Sequence, residues 1–263
     1  MSNVAGNEDV GVSMDGYVAT VEIRRPPNNF LDIELIANLA SVLEALDEEA
    51  QCRAVVLAAA GKHFCAGANL GKRIEEEAAG KAVVRPRHLY HEARRLVQTR
   101  KPIVAAVHGS AIGAGLGLAL TADFRVTCKE ARLACNFAAL GYHPGFGMTV
   151  TLPRLVGHQQ AKWLAYTGRR VPGDEAVAMG LADRLTEQER VREVAQEIAA
   201  ELAQIAPLSL QATRESLNKD LVHEFREATE REAFEQALLR ATNDFKEGVK
   251  ASSERRPARF TGS

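Results

Sequence analysis

An uncharged apolar run that dissolves into closely spaced glycines constrains this chain more than any other feature. Residues 101–120 read KPIVAAVHGSAIGAGLGLAL, and no Asp, Glu, Lys or Arg occurs from Pro102 to Ala122. Ile103 to Val107 is short, apolar and partly β-branched, the pattern of a strand buried on both faces. Gly109, Gly113, Gly115 and Gly117 follow it and lead into a second apolar stretch that reads as a helix. Glycines there permit positive φ and let other atoms approach the main chain, while the first amides of the helix have no intrahelical partner. Such amides can hold a developing negative charge. The run is long enough to cross a bilayer, but it is largely Gly and Ala and contains His108, Ser110 and Thr121, so a buried strand, turn and helix is expected. A dinucleotide fingerprint fails because Leu118 stands where the last glycine of G-x-G-x-x-G belongs. Taken alone, the glycines leave tight packing and a ligand-facing turn both open.

A second turn of the same kind lies upstream. Residues 53–60, RAVVLAAA, read as another buried strand, and GKHFCAGANL follows at 61–70. The pair GKHFCAGANL and KPIVAAVHGSAIGAGLGLAL resembles the two signature segments of the enoyl-CoA hydratase/isomerase (crotonase) superfamily, and the resemblance extends over about residues 10–260.

The remaining sequence bounds the reading. With 263 residues, 46% hydrophobic and 25% charged, the chain can bury a substantial core as one domain or one domain with an appendage. A formal charge of −1 without a long basic run argues against nucleic acid as the main partner. The four cysteines, at 52, 65, 128 and 135, have no C-x-x-C spacing and offer no disulfide or zinc framework. That usage and the polar first nine residues predict a cytoplasmic protein with no membrane partner.

Taken in order, residues 10–23 read as a hairpin turning at Asp15-Gly16. Asp32 is placed to cap a helix carrying Leu35, Ile36, Leu39, Leu43 and Leu46 on its core face. Residues 71–85 form a charged connection, a helix is expected over about 87–99, and 123–128 read as a third strand following a helix, which favours a mainly parallel sheet. A third glycine-rich turn, ACNFAALGYHPGFGM, spans 134–148 and is apolar enough to line something. From residue 149 the pattern reads as helical, most firmly over 187–205 and 221–245. The expected fold class is α/β, with a body over residues 1–200 and a helical C-terminal part over 201–263. The resemblance specifies a crotonase-like spiral of ββα units whose C-terminal helices pack between subunits of a homotrimer or dimer of trimers.

The resemblance also implies a site. The donors to the thioester carbonyl oxygen of an acyl-CoA would be the backbone amides of Ala68 and Ala114. Ala66, Ala68, Asn69 and Leu70 would border coenzyme A, with Ala66, Ala68 and Leu70 at the adenine; Phe137 would contact the substrate, Arg25 would approach a phosphate, and Phe260 would close the pocket from a neighbouring subunit, although Thr261 stands where many relatives place lysine. No cofactor beyond the coenzyme A of the substrate and no metal is implied. The two glutamates that family hydratases use fall on Gly117 and Phe137, and the aspartate of other branches falls on Gly145. None of these can move a proton, so ordinary hydration is expected to be slow. His143 is of the residue type whose side chain can take and give protons near neutral pH, which suits a general base, and a hydrogen bond to the main chain is its competing role. Tyr90 falls where the dehalogenase branch has a histidine base, with His91 beside it; packing and surface roles are expected for the two. Cys65 and Cys135 read as small core residues rather than nucleophiles, and His108 as a partner of main-chain groups. His63, His88, His158 and His223 show no chemistry-bearing neighbour. A non-catalytic acyl-CoA-binding protein is the alternative.

Overall fold

The alternating run near the N-terminus pairs as read: β1 (Val10–Asp15) and β2 (Val18–Ile23) are antiparallel, with Asp15 opposite Val18. In this computed structural model, residues 6–71, 79 and 88–263 are described. Most of the charged connection, and Arg87 where the following helix is expected to begin, lie outside them. Asp32 caps α1 (Ile33–Glu48) by accepting from the Leu35 amide at 2.8 Å, and the five anticipated apolar residues of its inner face are buried.

The uninterrupted apolar runs become central parallel strands because neither face meets water. β3 (Ala54–Ala59) and β4 (Ile103–Val107) are buried at every position, and β6 (Phe124–Cys128) at all but its first. The larger sheet has the order β1-β2-β3-β4-β6-β9, parallel throughout from β2 to β9 (Arg184–Thr186). A second sheet, β5-β7-β8, is formed by Ser110–Ile112, Arg132–Ala134 and Val171–Pro172. Cys65 joins it through a parallel bridge to Ala111. After β3, β4 and β6 the chain thus leaves the large sheet and touches the small one before turning into the next connection, so that both sheets advance together as a spiral of ββα units.

Five helices matter to the site and its support: α2 (Leu89–Val97), α3 (Ala114–Ala119), α4 (Met148–Thr167), α6 (Val191–Ala203) and α7 (Pro207–Arg240). Between α4 and α6 lies the short α5 (Gly173–Ala178), and α8 (Asn243–Ser253) follows α7. The stripe Val191, Ala195, Ala199, Ala203 lets α6 lie close on β3, β4 and β6. The expected helix over 187–205 begins later, after a 3-10 turn at Gln188–Arg190. The one expected over 221–245 is part of a 34-residue helix that starts at Pro207, a residue suited to a first helical turn, and stops before Phe245. The strands β8 and β9 interrupt a region read as wholly helical, because two- and three-residue strands carry no alternation to detect. α7 packs on α2 and α4. No helix among the described residues is long and apolar enough to cross a membrane.

One buried residue ties the end of β2 to the first glycine-rich turn. Asn29 is fully buried with φ 49°, a backbone state that Asn tolerates better than most residues. Its Nδ2 donates to the carbonyls of Ala60 (2.8 Å) and His63 (2.7 Å), and its Oδ1 accepts from the Arg25 amide at 3.0 Å. Main-chain bonds from Ala66 to Asn28 and from Leu31 to Gly67, both 2.9 Å, complete the clasp. Asn29→Ala removes three hydrogen bonds and the side chain that favours this φ. It should cost about 2–4 kcal/mol in urea denaturation; a loss below about 1 kcal/mol would show that the clasp is supported elsewhere.

Candidate active site

The two glycine-rich turns meet main chain to main chain. Cys65 N donates to Ser110 O at 2.9 Å and Ile112 N to Cys65 O at 3.0 Å, which lays the first turn along β5. Gly67, at φ +80°, then passes so close that a Cβ there would stand 2.5 Å from the Ile112 carbonyl oxygen and 3.5 Å from the Ala114 nitrogen. A Cβ on Gly115 would stand 2.2 Å from the Cys65 carbonyl oxygen. Only glycine permits either approach. Ala68 follows immediately after Gly67, and Ala114 is the first residue of α3. Among the described residues neither amide has an acceptor. The residues picked from the two motifs are therefore brought together, with Ala68 exposed and Ala114 7% exposed.

Residues 137–147 cover α3 from the other side. The Phe137 ring lies 3.6 Å from where a Cβ on Gly113 would be, beside the start of α3. Its ring stacks on Tyr142, which in turn meets Phe245 with centroids 4.6 Å apart. Phe146 is fully buried on Gly117, where an added Cβ would approach its Cβ to 2.6 Å. Gly145 is closed as well, since an added Cβ would stand 1.8 Å from the Tyr90 hydroxyl. The space that carboxylates would need at 117 and 145 is thus filled. Phe146 and Gly147 adopt φ of 61° and 71° in succession. For Phe146 this state is costly, and burial of its ring between Gly117 and Tyr90 opposes the cost.

His143 lies within this turn, half-buried, and its Nδ1 is 2.7 Å from the Pro144 carbonyl oxygen. A carbonyl only accepts, so Nδ1 donates, and in the neutral ring Nε2 carries the lone pair. Cys65 and Cys135 are core residues as expected, their thiols pushed up to about 12 by burial. His108 Nε2 is 2.8 Å from the Gly61 carbonyl oxygen, the expected main-chain role. His91 is exposed, and His88 caps α2 by accepting from the Tyr90 amide. Burial also depresses the pKa of His63, whose Nδ1 is buried with no partner among the described residues.

The proposed coenzyme A residues are spread more widely. Ala66, Asn69 and Leu70 flank Ala68 on the first turn. The Arg25 guanidinium is shared by Asp9 and Asp32, each at 2.6 Å, so its charge is already answered within the protein. Phe260 is 46% exposed on a C-terminal tail pinned by Asp244, which accepts from the amides of Thr261 (2.7 Å) and Gly262 (2.9 Å). Among the described residues no three His, Cys, Asp or Glu side chains gather as metal ligands.

Sequence reading missed the contribution of α7. Phe225, Thr229, Glu232 and Gln236 form its buried stripe, spaced three or four residues apart. Glu232 accepts from the amides of Gly147 (2.8 Å) and Thr149 (3.1 Å) and from the Thr149 hydroxyl (2.7 Å), capping α4. Burial nevertheless pushes its pKa from 4.5 up to about 7. The folded protein therefore holds this proton more tightly than the unfolded chain, and stability falls as pH rises from 4.5 to about 7. The loss amounts to about 3 kcal/mol. Denaturation midpoints measured from pH 4.5 to 8 should show this decline in the wild type and a flatter profile in Glu232→Gln; identical slopes would contradict it.

Comparison with known proteins follows this geometry. The family model described as enoyl-CoA hydratase/isomerase matches residues 14–263. A short-chain-enoyl-CoA hydratase of Clostridium acetobutylicum is 32% identical over 254 residues, covering 94% of this chain and 95% of that protein. The 1,2-epoxyphenylacetyl-CoA isomerase of Escherichia coli is 31% identical, covering 93% and 95%. The crystal structure of an enoyl-CoA hydratase/isomerase from Pseudoalteromonas atlantica superimposes with a TM-score of 0.85 at 30% identity, covering 96% of this chain and all of that one.

Proposed function

We propose a reaction for this chain from one premise: it belongs to the enoyl-CoA hydratase/isomerase family of acyl-CoA enzymes. In our reading the thioester oxygen sits between the amides of Ala68 and Ala114, and His143 moves the proton that hydratases move with glutamates. The observation that carries it is the contact of Gly67 with Ile112 and Ala114, which sets two acceptor-free amides on touching turns.

Two donors on the thioester oxygen polarise the carbonyl and stabilise the enolate left when an α-proton departs. His143 Nε2 takes that proton and returns it to the same carbon or, in an unsaturated acyl group, to the γ-carbon. Return at the γ-carbon shifts the double bond and consumes no co-reactant, which makes isomerisation the favoured reaction. Water addition to an enoyl group lacks its usual pair of carboxylates, because Phe146 occupies the space beside Gly117 and Phe137 carries no proton. Ala66, Asn69 and Leu70 border the coenzyme A, while Phe137 faces the acyl group. The chain assembles as a homotrimer or a dimer of trimers in which Phe260 closes the neighbouring pocket.

The test is exchange of the α-protons of butyryl-CoA in D2O, followed by NMR. Wild-type protein should catalyse exchange and hydrate crotonyl-CoA only slowly. Ala114→Pro deletes one donor at a first helical position that tolerates proline, and exchange should fall about 100- to 1,000-fold. His143→Ala should lower it about 100-fold or more. Binding of acyl-CoA without exchange would instead support a non-catalytic binding protein, and fast hydration lost with neither variant would overturn the site.

A further inference from the structure

The turn that carries His143 is held by a hydrogen-bonded pair that the reaction above leaves unused. Tyr90 on α2 donates its hydroxyl to Gln236 Oε1 at 2.9 Å, and Gln236 Nε2 donates to the His143 carbonyl at 2.8 Å. The sense of this chain is unambiguous. The His143 carbonyl can only accept, so the amide nitrogen of Gln236 must face it and its oxygen must face Tyr90. Gly145 lies against this pair, and an added Cβ there would stand 1.8 Å from the Tyr90 oxygen and 2.5 Å from Gln236 Nε2. Glycine at 145 is therefore what allows the pair to reach the backbone.

We propose that Tyr90 and Gln236 are positioning residues that fix the backbone of residues 143–145 and thereby aim His143 Nε2; this rests on the role given to His143 above. Both side chains are buried, at 4% and 5% exposure, and both are neutral. Burial keeps the Tyr90 hydroxyl protonated far above its ordinary pKa of 10, so it remains a donor at any working pH. Among the described residues, the other ionisable groups facing the pair include Glu232, one turn earlier on α7, Tyr142, and His88, whose ring meets Tyr90 edge-on with centroids 4.4 Å apart. The clamp acts on two points. The His143 carbonyl is held by Gln236, itself held by Tyr90, and the imidazole by its bond to the Pro144 carbonyl. With its main chain and one ring nitrogen anchored, the ring has little freedom left except to present Nε2.

Two readouts test this on the full-length protein. The first is butyryl-CoA α-proton exchange; the second is the imidazole Cε1–H signal of His143 in 13C-histidine-labelled protein, identified by its loss in His143→Asn. Gln236→Leu removes both bonds, and exchange turnover should fall about 10- to 100-fold, as for a small misplacement of a reacting group. KM for butyryl-CoA should change less than about 3-fold, because the amides of Ala68 and Ala114 and the coenzyme A contacts are untouched. Tyr90→Phe keeps the bond from Gln236 to His143 and should lose less. The His143 signal and its titration midpoint should shift in both variants, while the histidine signals other than that of His88, which packs on Tyr90, stay in place and report an intact fold. If Gln236→Leu does not fold, Tyr90→Phe decides. An unchanged His143 signal with exchange within about 2-fold of wild type would overturn the proposal. Absence of exchange in the wild type would overturn the functional reading instead, and the imidazole signal alone then judges the clamp.

Discussion

The architecture of the site depends on two peptide segments approaching without any side chain between them. At Gly67 and Gly115 a single methyl group would collide with a carbonyl oxygen of the opposite turn. Neither segment holds this approach by itself. The first turn is clasped by Asn29 and by main-chain bonds from residues 28 and 31, and the second is anchored where Gly113 donates to the Ala134 carbonyl at 2.8 Å. Strand pairing across the small sheet, including the Cys65 bridge to Ala111, sets the register between them. The amides of Ala68 and Ala114 are left over once these bonds are counted. Main-chain donors of this kind are preorganised, because moving them means breaking the sheet.

Around that pair of amides the main chain is closely covered by large side chains. A carboxylate at 117 would meet Phe146, and one at 145 would meet Tyr90 and Gln236. The filling groups are themselves interlocked: Phe146 packs edge-on against Tyr90, with centroids 6.4 Å apart, and Tyr90 bonds to Gln236. Glu232, a buried carboxylate near this turn, turns its oxygens to the first turn of α4 and so supports the turn.

Much of the frame was legible in the residues because it depends on local patterns. The cap at Asp32, the wholly apolar β3 and β4, and the glycines of both turns follow from short stretches of sequence. What escaped depends on distance along the chain. Glu232 and Gln236 sit in a segment, EATEREAFEQ, that reads only as part of a helix and carries no motif. Only folding brings Gln236 to His143, 93 residues away, and Glu232 to Thr149, 83 away. Asn29 carries no signal in PPNN, where neither its positive φ nor its three partners can be seen. Nor does the sequence show that Gly145 is the opening through which Tyr90 reaches Gln236.

The direct test of two amides on one oxygen is the vibrational frequency of that oxygen's bond. Isotope-edited infrared difference spectra of butyryl-CoA carrying a 13C thioester carbonyl would report it on the bound substrate. The account predicts a carbonyl stretch well below its position in water, with part of the shift lost in Ala114→Pro. A stretch at the aqueous position, or one indifferent to that substitution while the ligand remains bound, would contradict it.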